Sequence, residues 1–363
     1  MSASEGSPPT MREVAAHAGV SVMTVSRALH DDPRVSPRTR ARVLAAAEEL
    51  SYRRNELARS LRLGRPSGML GLVVTNLANP FYSQLALGVE TLAAARGMKV
   101  VLSNTGDDVE RERQIVSDLA AWRVEGMIVV PAGRDQSHLD SPQLNGIPVV
   151  LAARPPADIA VDCVLLDDYG GAKEATARLL ASGHQRIGFL SPPAVWNSAE
   201  RLRGFRSVME AAGIDLDERF VRCEQRDVTA AERTAQELLA LTNSPSAFFC
   251  ANSRNAIGAY RAARGTNQDI ALSCFDDFEL ADMLGLSLSV VSYDPAAIGR
   301  ESARLLLSRI DAASNSKDGL PPRRIVLPTT VVDYGPEADG RKGCPAGASA
   351  PSWRRSATRP GTP

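Results

Sequence analysis

Cysteine and histidine are scarce in this chain, and neither is clustered. The five cysteines, Cys163, Cys223, Cys250, Cys274 and Cys344, are odd in number and none forms C-x-x-C. That argues against a zinc site or disulfide framework and for reduced, mostly buried thiols. The four histidines, His17, His30, His138 and His184, are scattered. No G-x-S-x-G, Walker A motif or zinc-ligand spacing occurs, so neither catalysis nor a metal or cofactor is expected. Long apolar runs are missing too, none approaching the roughly 20 residues that span a bilayer. The start M-S-A-S-E-G-S-P-P lacks the basic and apolar blocks of a secretory signal, so a cytoplasmic location is expected. Net charge is absent as well, since 42 basic residues balance 42 acidic ones.

What is present is uneven. Residues 1–65 hold 11 Arg, no Lys and 7 Asp or Glu, a net +4, which leaves −4 on the remainder. A basic segment ahead of an acidic body suits phosphate neutralisation at one end of the molecule. With 363 residues and 44% hydrophobic content, the chain has room for a small N-terminal domain and two core-bearing lobes.

The stretch T-M-R-E-V-A-A-H-A-G-V-S-V-M-T-V-S-R-A-L, Thr10 to Leu29, carries the basic segment's pattern. Thr10 can cap a first helix with Met11, Val14, Ala15 and Ala18 on one face. Gly19 supplies the permissive backbone for a corner, and Ser21 can cap a second helix that turns Val25, Ala28 and Leu29 inward. Val22, Met23, Thr24, Ser26 and Arg27 remain near the exposed start of that helix. In a helix-turn-helix these positions meet base edges and phosphates in the major groove. The alternative is an ordinary helical hairpin with a solvated polar face. Val35-Ser36-Pro37 then opens a third helix, with Ser36 as N-cap and Pro37 at the first position. Its inner stripe is expected to be Val43, Leu44, Ala47 and Leu50, with Arg38, Arg40 and Arg42 outside. A further short helix, capped by Asn55, is expected after Tyr52.

Beyond the linker Gly64-Arg65-Pro66-Ser67-Gly68 the pattern alternates strand and helix. Expected strands are Met69–Val74, Lys99–Ser103, Gly126–Val130 and Pro148–Ala152, with helices at Phe81–Arg96 and Glu110–Arg123. The rhythm restarts with strand Cys163–Leu166 and helix Gly171–Ser182. It continues through strand Arg186–Leu190, helices Glu200–Ala212 and Thr229–Leu241, strand Ala247–Ala251, helix Ala256–Arg264 and strand Ile270–Cys274. Such alternation implies parallel sheets covered by helices. Two α/β lobes in succession make a natural ligand trap. The tail from Gly335 is rich in Gly, Pro, Ala and Ser and is expected to be disordered.

Several ordered motifs give this chain a family resemblance. E-V-A-x-x-A-G-V-S-x-x-T-V-S-R-A-L, V-S-P-x-T-R-x-R-V and N-x-L-A-R-S-L-R-x-G resemble the headpiece of the lactose-repressor (LacI/GalR) family of bacterial transcription regulators. Asn79-Pro80-Phe81-Tyr82, Gly183 to Phe189, Glu200 to Phe205 and Phe275-Asp276-Asp277 are similar to its effector-domain landmarks. The resemblance covers about residues 10–334. It implies an all-α headpiece with hinge helix at 10–64, followed by two Rossmann-like lobes of periplasmic-binding-protein type over 67–334. Crossings between lobes are expected near residues 164, 291 and 326. Lobe 1 would then hold about 67–164 and 293–324, including the helix Ala296–Ile310, and lobe 2 about 165–291 and 326–334.

Site residues follow by the same resemblance. Thr10, Val22, Met23, Thr24, Ser26 and Arg27 are expected at operator DNA, and Asn55, Ala58 and Leu61 in a hinge helix. Leu61 would be the wedge entering a central base step, or else pack on the first lobe. In the cleft, Phe81 is expected from lobe 1 and Arg201, Asn252 and Asp276 from lobe 2. That mixture suits a polyol, since Asp276 accepts hydroxyl hydrogens, Arg201 donates in a fork and Asn252 does both. Phe81 can lie on an apolar sugar face, or be a core aromatic. Arg201 and Asp276 can alternatively form an ion pair between lobes or at the surface.

The chain departs from the family pattern at several positions. The usual N-D-x-x-A-x-G run reads Asn252-Ser253-Arg254-Asn255-Ala256-Ile257-Gly258, without its acidic residue and with a helix N-cap contact at stake. Asp227-Val228 stands where many relatives have an aromatic after an Asp, so Trp196 is the expected replacement platform. Gly265–Asp269 is a shortened connection, and Arg54 replaces the usual Pro before Asn55. The tail has no leucine heptad, which favours a homodimer over a tetramer. The expected function is a dimeric, ligand-responsive regulator on a pseudo-palindromic operator, repressing carbohydrate genes and released by a sugar. The alternative is a corepressor system answering to a nucleobase or another metabolite.

Overall fold

The computed structural model describes residues 9–52, 66–140, 144–193, 195–266, 268–278, 281, 287–314 and 321–335. Asn55, Ala58, Leu61 and the tail beyond Gly335 lie outside the described residues. The chain divides into two compact units, Met1–Ser67 and Gly68–Pro363.

The first unit contains α1 (Met11–His17), α2 (Val22–Ala28) and α3 (Pro37–Glu49). Each starts on a side-chain cap. Thr10 and Glu13 form a reciprocal capping box, Ser21 accepts from the Thr24 amide, and Ser36 accepts from the Thr39 amide ahead of Pro37. Gly19 turns the corner between α1 and α2 at φ +59°. The three helices share a small core of Val14, Ala15, Ala18, Val25, Ala28, Val43, Ala46 and Ala47. Leu44 is a correction to the expected stripe, because it is 49% exposed and Ala46 takes the inner place. A step of one residue rotates a helix by about 100°, enough to carry Leu44 off the core face.

The second unit holds two six-stranded sheets. The first has the order β11-β5-β4-β3-β1-β2, and all its neighbouring strands run parallel. It comprises β1 (Met69–Val74), β2 (Lys99–Asn104), β3 (Gly126–Val129), β4 (Val149–Ala152), β5 (Asp162–Leu166) and β11 (Arg324–Leu327). The second has the order β12-β10-β9-β8-β6-β7. Its strands are β6 (Ile187–Leu190), β7 (Val221–Arg222), β8 (Ala247–Cys250), β9 (Ala271–Phe275), β10 (Leu288–Ser292) and β12 (Thr330–Tyr334), which pairs antiparallel to β10. The interior strands are buried on both faces, as continuous apolar runs in helix-covered sheets require.

Helices α4 (Pro80–Ala95) and α5 (Val109–Ala121) connect the first sheet's opening strands. Helices α6 (Asp168–Ala181), α7 (Trp196–Ala211), α8 (Val228–Leu239) and α9 (Ser253–Arg264) do so for the second lobe. The last helix, α10 (Pro295–Ser314), returns to the first lobe and packs on α4. The two helices meet backbone to backbone. A Cβ on Gly88 would lie 2.1 Å from the Ala296 carbonyl oxygen, and one on Gly299 would lie 2.0 Å from that of Leu85. No bulkier residue fits at this crossing without separating the helices.

The crossings fall later in the chain than expected. Strand β5, expected to open the second lobe, instead pairs with β4 and β11 in the first sheet, so the chain crosses near Asp167. Val326 and Leu327 also belong to the first sheet, and the third crossing follows Leu327. Asp162 makes the reason visible. Buried at the start of β5, its carboxylate accepts from Arg309 at 2.6 and 2.9 Å and from the Arg323 amide at 2.7 Å. Burial works to raise its pKa, but these donors outweigh burial and hold it below the usual carboxylate range. One carboxylate thus fastens β5, α10 and β11 into one lobe.

Candidate functional site

On the first unit, α2 leaves a mixed surface open. Val22 is 41% and Met23 62% exposed, while Arg27 is exposed and Thr24 and Ser26 are half-buried. Val25 and Ala28 are consumed by the core, so only this other face is available. Thr24 is partly committed, its amide and hydroxyl both lying within hydrogen-bond reach of Ser21 Oγ. Thr10 is likewise committed to Glu13, which accepts from the Thr10 amide at 2.6 Å and hydroxyl at 2.9 Å. His17 pairs with Glu49 at 2.6 Å and ties α1 to α3, and His30 Nδ1 meets the Ser26 carbonyl. Both histidines therefore have local structural partners.

On the second unit, a cavity of about 420 Å³ opens between the two lobes. It lies beyond the C-terminal ends of the strands, where open α/β sheets place ligand groups. Phe81, Arg201, Asn252 and Asp276 all line it, so the fold brings four distant sequence positions into one cleft. Trp196 does not join them. It opens α7 and packs on the core beneath β3 and β4, beside Pro155 and Pro156 and away from the cavity lining. Its large apolar ring finds more area to bury against the other lobe than in a polar cleft.

Arg201 organises the second lobe's side. It is buried on α7, where its Nε donates to Asp168 at 2.7 Å and its Nη1 donates to the Ala251 carbonyl at 2.5 Å. Its guanidinium stacks 3.6 Å from the Phe275 ring centre and lies 3.6 Å from Asp276. Arg201 and Asp276 do pair, but buried within the second lobe rather than between lobes or at the surface, and both line the cavity. Desolvation opposes the charge on Arg201, but Asp168 and Asp276 outweigh it and raise its pKa. Burial pushes Asp168 up from the ordinary carboxylate range, against the pull of Arg201.

Asp276 follows β9 in the left-handed region at φ +72°, a conformation that non-glycine residues adopt rarely. Its carboxylate accepts from the Tyr293 hydroxyl at 2.5 Å. Strain of this kind is held only where surrounding contacts fix it, and it turns the carboxylate toward the cavity rather than along the strand. Asn252 caps α9 by accepting from the Asn255 amide at 2.8 Å, so the N-cap contact expected to be at stake is made by Asn252 itself.

Several lining residues escaped sequence reasoning. Tyr293 sits at the second crossing, edge-on to Phe81 with centroids 6.1 Å apart and 6.0 Å from Phe275, and thus touches both lobes. Burial, then Asp276, raises its pKa well above the usual phenol range, so it stays a donor. Asn197 donates to the Ala153 carbonyl at 2.9 Å across the cleft and to Asp168 at 3.1 Å. Arg154 pairs with Asp107 at 2.8 Å on the first lobe. No local motif marks these residues. Their only common signal is position just beyond a strand end or at a helix start. Among the described residues no group of His, Cys, Asp and Glu could hold a metal ion, and no helix is long and apolar enough to cross a membrane.

Comparison with known proteins accounts for both units. Residues 10–55 match the model for bacterial regulatory proteins of the lacI family. Residues 67–333 match the model for periplasmic binding proteins and the sugar-binding domain of the LacI family. The HTH-type transcriptional regulator CelR of Thermobifida fusca is 33% identical over 336 residues, covering 89% of this chain and 97% of CelR. The structure of a CelR–cellobiose complex superposes with a TM-score of 0.65 at 30% identity, covering 90% of this chain and 100% of that one. The lac repressor dimer bound to operator and the anti-inducer ONPF gives a TM-score of 0.69 at 25% identity, covering 90% and 98%. With a helix-turn-helix unit ahead of a two-lobed α/β body, the chain belongs to the LacI family of bacterial transcriptional regulators.

Proposed function

We propose that this protein is a dimeric repressor of carbohydrate-utilisation genes whose operator affinity is set by a sugar-type effector in the inter-lobe cavity. The observation that carries the reading is the convergence of Phe81, Arg201, Asn252 and Asp276 on one cavity. An aromatic face beside a carboxylate, a guanidinium and an amide is the donor and acceptor set a polyol requires. CelR, solved with cellobiose, and the lac repressor, solved on its operator, supply the precedent for sugar response and for repression by a dimer. The protein acts by binding rather than catalysis, in the cytoplasm, and Val22, Met23 and Arg27 read bases. A two-fold dimer then requires a pseudo-palindromic operator.

The linkage follows from the lobes. Phe81 belongs to one lobe and Asp276 to the other, and a ligand touching both favours the closed arrangement. Operator affinity changes only by the ligand's differential affinity for the two arrangements.

Asp276→Asn tests the reading, because Asn tolerates the left-handed backbone while losing the charge. The variant should bind operator like wild type, yet need about ten-fold or more effector for release, the loss of one charged hydrogen bond. The measurement is titration of operator-bound protein with candidate sugars. An unchanged release curve would remove Asp276 from the site, and tighter operator binding on adding sugar would favour the corepressor alternative.

A further inference from the structure

The cavity contains more positive charge than its own carboxylates can neutralise. Four arginines line it, Arg154, Arg201, Arg226 and Arg254, against two carboxylates, Asp107 and Asp276. The first two arginines are already engaged. Arg154 donates to Asp107 and to the Pro131 carbonyl at 2.7 Å, and Arg201 is held by Asp168, Ala251 and Asp276. Arg226 and Arg254 have no acidic partner and no side-chain hydrogen bond among the described residues.

Their placement is built rather than incidental. Arg226 follows Gln225 in the loop after β7, and Arg254 precedes Asn255 in the first turn of α9. The buried Asn255 side chain donates to the Gln225 carbonyl at 3.0 Å and so fastens the two segments together. Gln225 is itself buried and donates to Thr234 on α8 at 3.1 Å. Asn252, one turn away, caps α9 and lines the same cavity. Arg226 is exposed and Arg254 half-buried, so both guanidinium groups are open to an anion held beside the polyol-binding groups. Arg254 also occupies the first turn of α9, where the helix dipole disfavours a cation, so its charge is not there to stabilise the helix.

From this surplus we infer that the effector is an acidic sugar, its anionic group, a carboxylate or a phosphate ester, bound by Arg226 and Arg254. The inference rests on the cavity being the sugar site proposed above. The neutral part of the ligand then meets Phe81, Asn252 and Asp276, and its anion lies on the second lobe's side of the same cavity. A guanidinium fork accepts either oxyanion, and the two sources are separated by experiment.

The test is calorimetric titration of the full chain with matched sets of sugars. The probes are glucose, glucuronate and glucose 6-phosphate, the same three forms of galactose, and ribose with ribose 5-phosphate. In at least one set an acidic member should bind about ten-fold or more tightly than its neutral parent, and which member does so separates carboxylate from phosphate. The double variant Arg226→Gln, Arg254→Gln should erase that preference, with an unchanged unfolding transition showing that the fold is intact. Neutral sugars binding as well as their acids would overturn the anion assignment and leave the sugar site standing. An acid preference that survives the double variant would likewise overturn it. Absence of binding by every member would overturn both this inference and the sugar reading.

Discussion

In the headpiece, the candidate base-reading residues Val22, Met23, Thr24, Ser26 and Arg27 fall on one seven-residue helix. In the body, Phe81, Arg201, Asn252 and Asp276 arrive from four separate elements and meet only in the cleft. The first surface is open to water, and its most exposed groups, Val22, Met23 and Arg27, are not part of the core. In the second, Arg201 and Asp276 are already paired within the protein, in surroundings where charge is expensive to leave alone. Substitutions on the open face of α2 should therefore leave stability little changed, whereas in the cleft the same groups hold the fold and line the cavity.

The sharpest way to break that contrast is Arg201→Ala. Truncation leaves Asp168 buried without its cation, which costs about 3–5 kcal/mol. Denaturant unfolding of the body, followed by the fluorescence of Trp122 and Trp196, should shift strongly to lower denaturant. An unmoved midpoint would mean that the cleft charges are no more structural than those of α2.

Asp162→Asn extends the test to a buried carboxylate remote from the cavity. Its pKa is lowered by Arg309 and the Arg323 amide, so its contribution is present above the ordinary carboxylate range and lost as pH falls through the lowered folded value. The variant should lose about 1.5–3 kcal/mol near neutral pH and show a flatter acid limb below about pH 4. Parallel pH profiles for the two proteins would contradict this role.

Arg27→Ala should behave in the opposite manner. Operator affinity should fall by about 1–3 kcal/mol, and binding-site selection should relax at one symmetric base pair. Thermal unfolding should stay within about 0.5 kcal/mol of wild type, as for surface sites generally. An unchanged consensus would remove Arg27 from base reading, and a large stability loss would erase the distinction between the two regions.

The smallest effect is expected for Ser21→Ala, which removes the oxygen that receives the Thr24 amide at 3.1 Å. Losing this cap should cost the headpiece about 1 kcal/mol, seen by circular dichroism on melting, and weaken operator binding only through the fold.

Much of the architecture was legible because it is written in near neighbours. Ser21 and Thr24, Ser36 with Pro37, and Gly19 at its corner each act over a few residues, so their caps and turn are readable before any packing is known. The alternation of apolar strands and amphipathic helices likewise reports burial directly. Leu44 shows the limit of such patterns, since Val43, Ala47 and Leu50 face the core as expected while Leu44, one residue further round the helix, gives its place to Ala46. Trp196 shows another, because nothing around it distinguishes a cleft wall from the far lobe's core.

The helix-turn-helix, its caps and the two-lobed alternation were readable from residue order because each rests on local chemistry, and four of the cavity's lining residues were readable through motifs shared with the family. That β5 completes the first sheet emerged with the packed fold, because Asp162 finds its cations on α10 and beside β11. The packed fold alone brought Tyr293 between Phe81 and Asp276, and set Arg226 beside the start of α9 through Asn255. Those arrangements depend on which distant charge or carbonyl is within about 3 Å, a quantity that spacing along the chain does not contain.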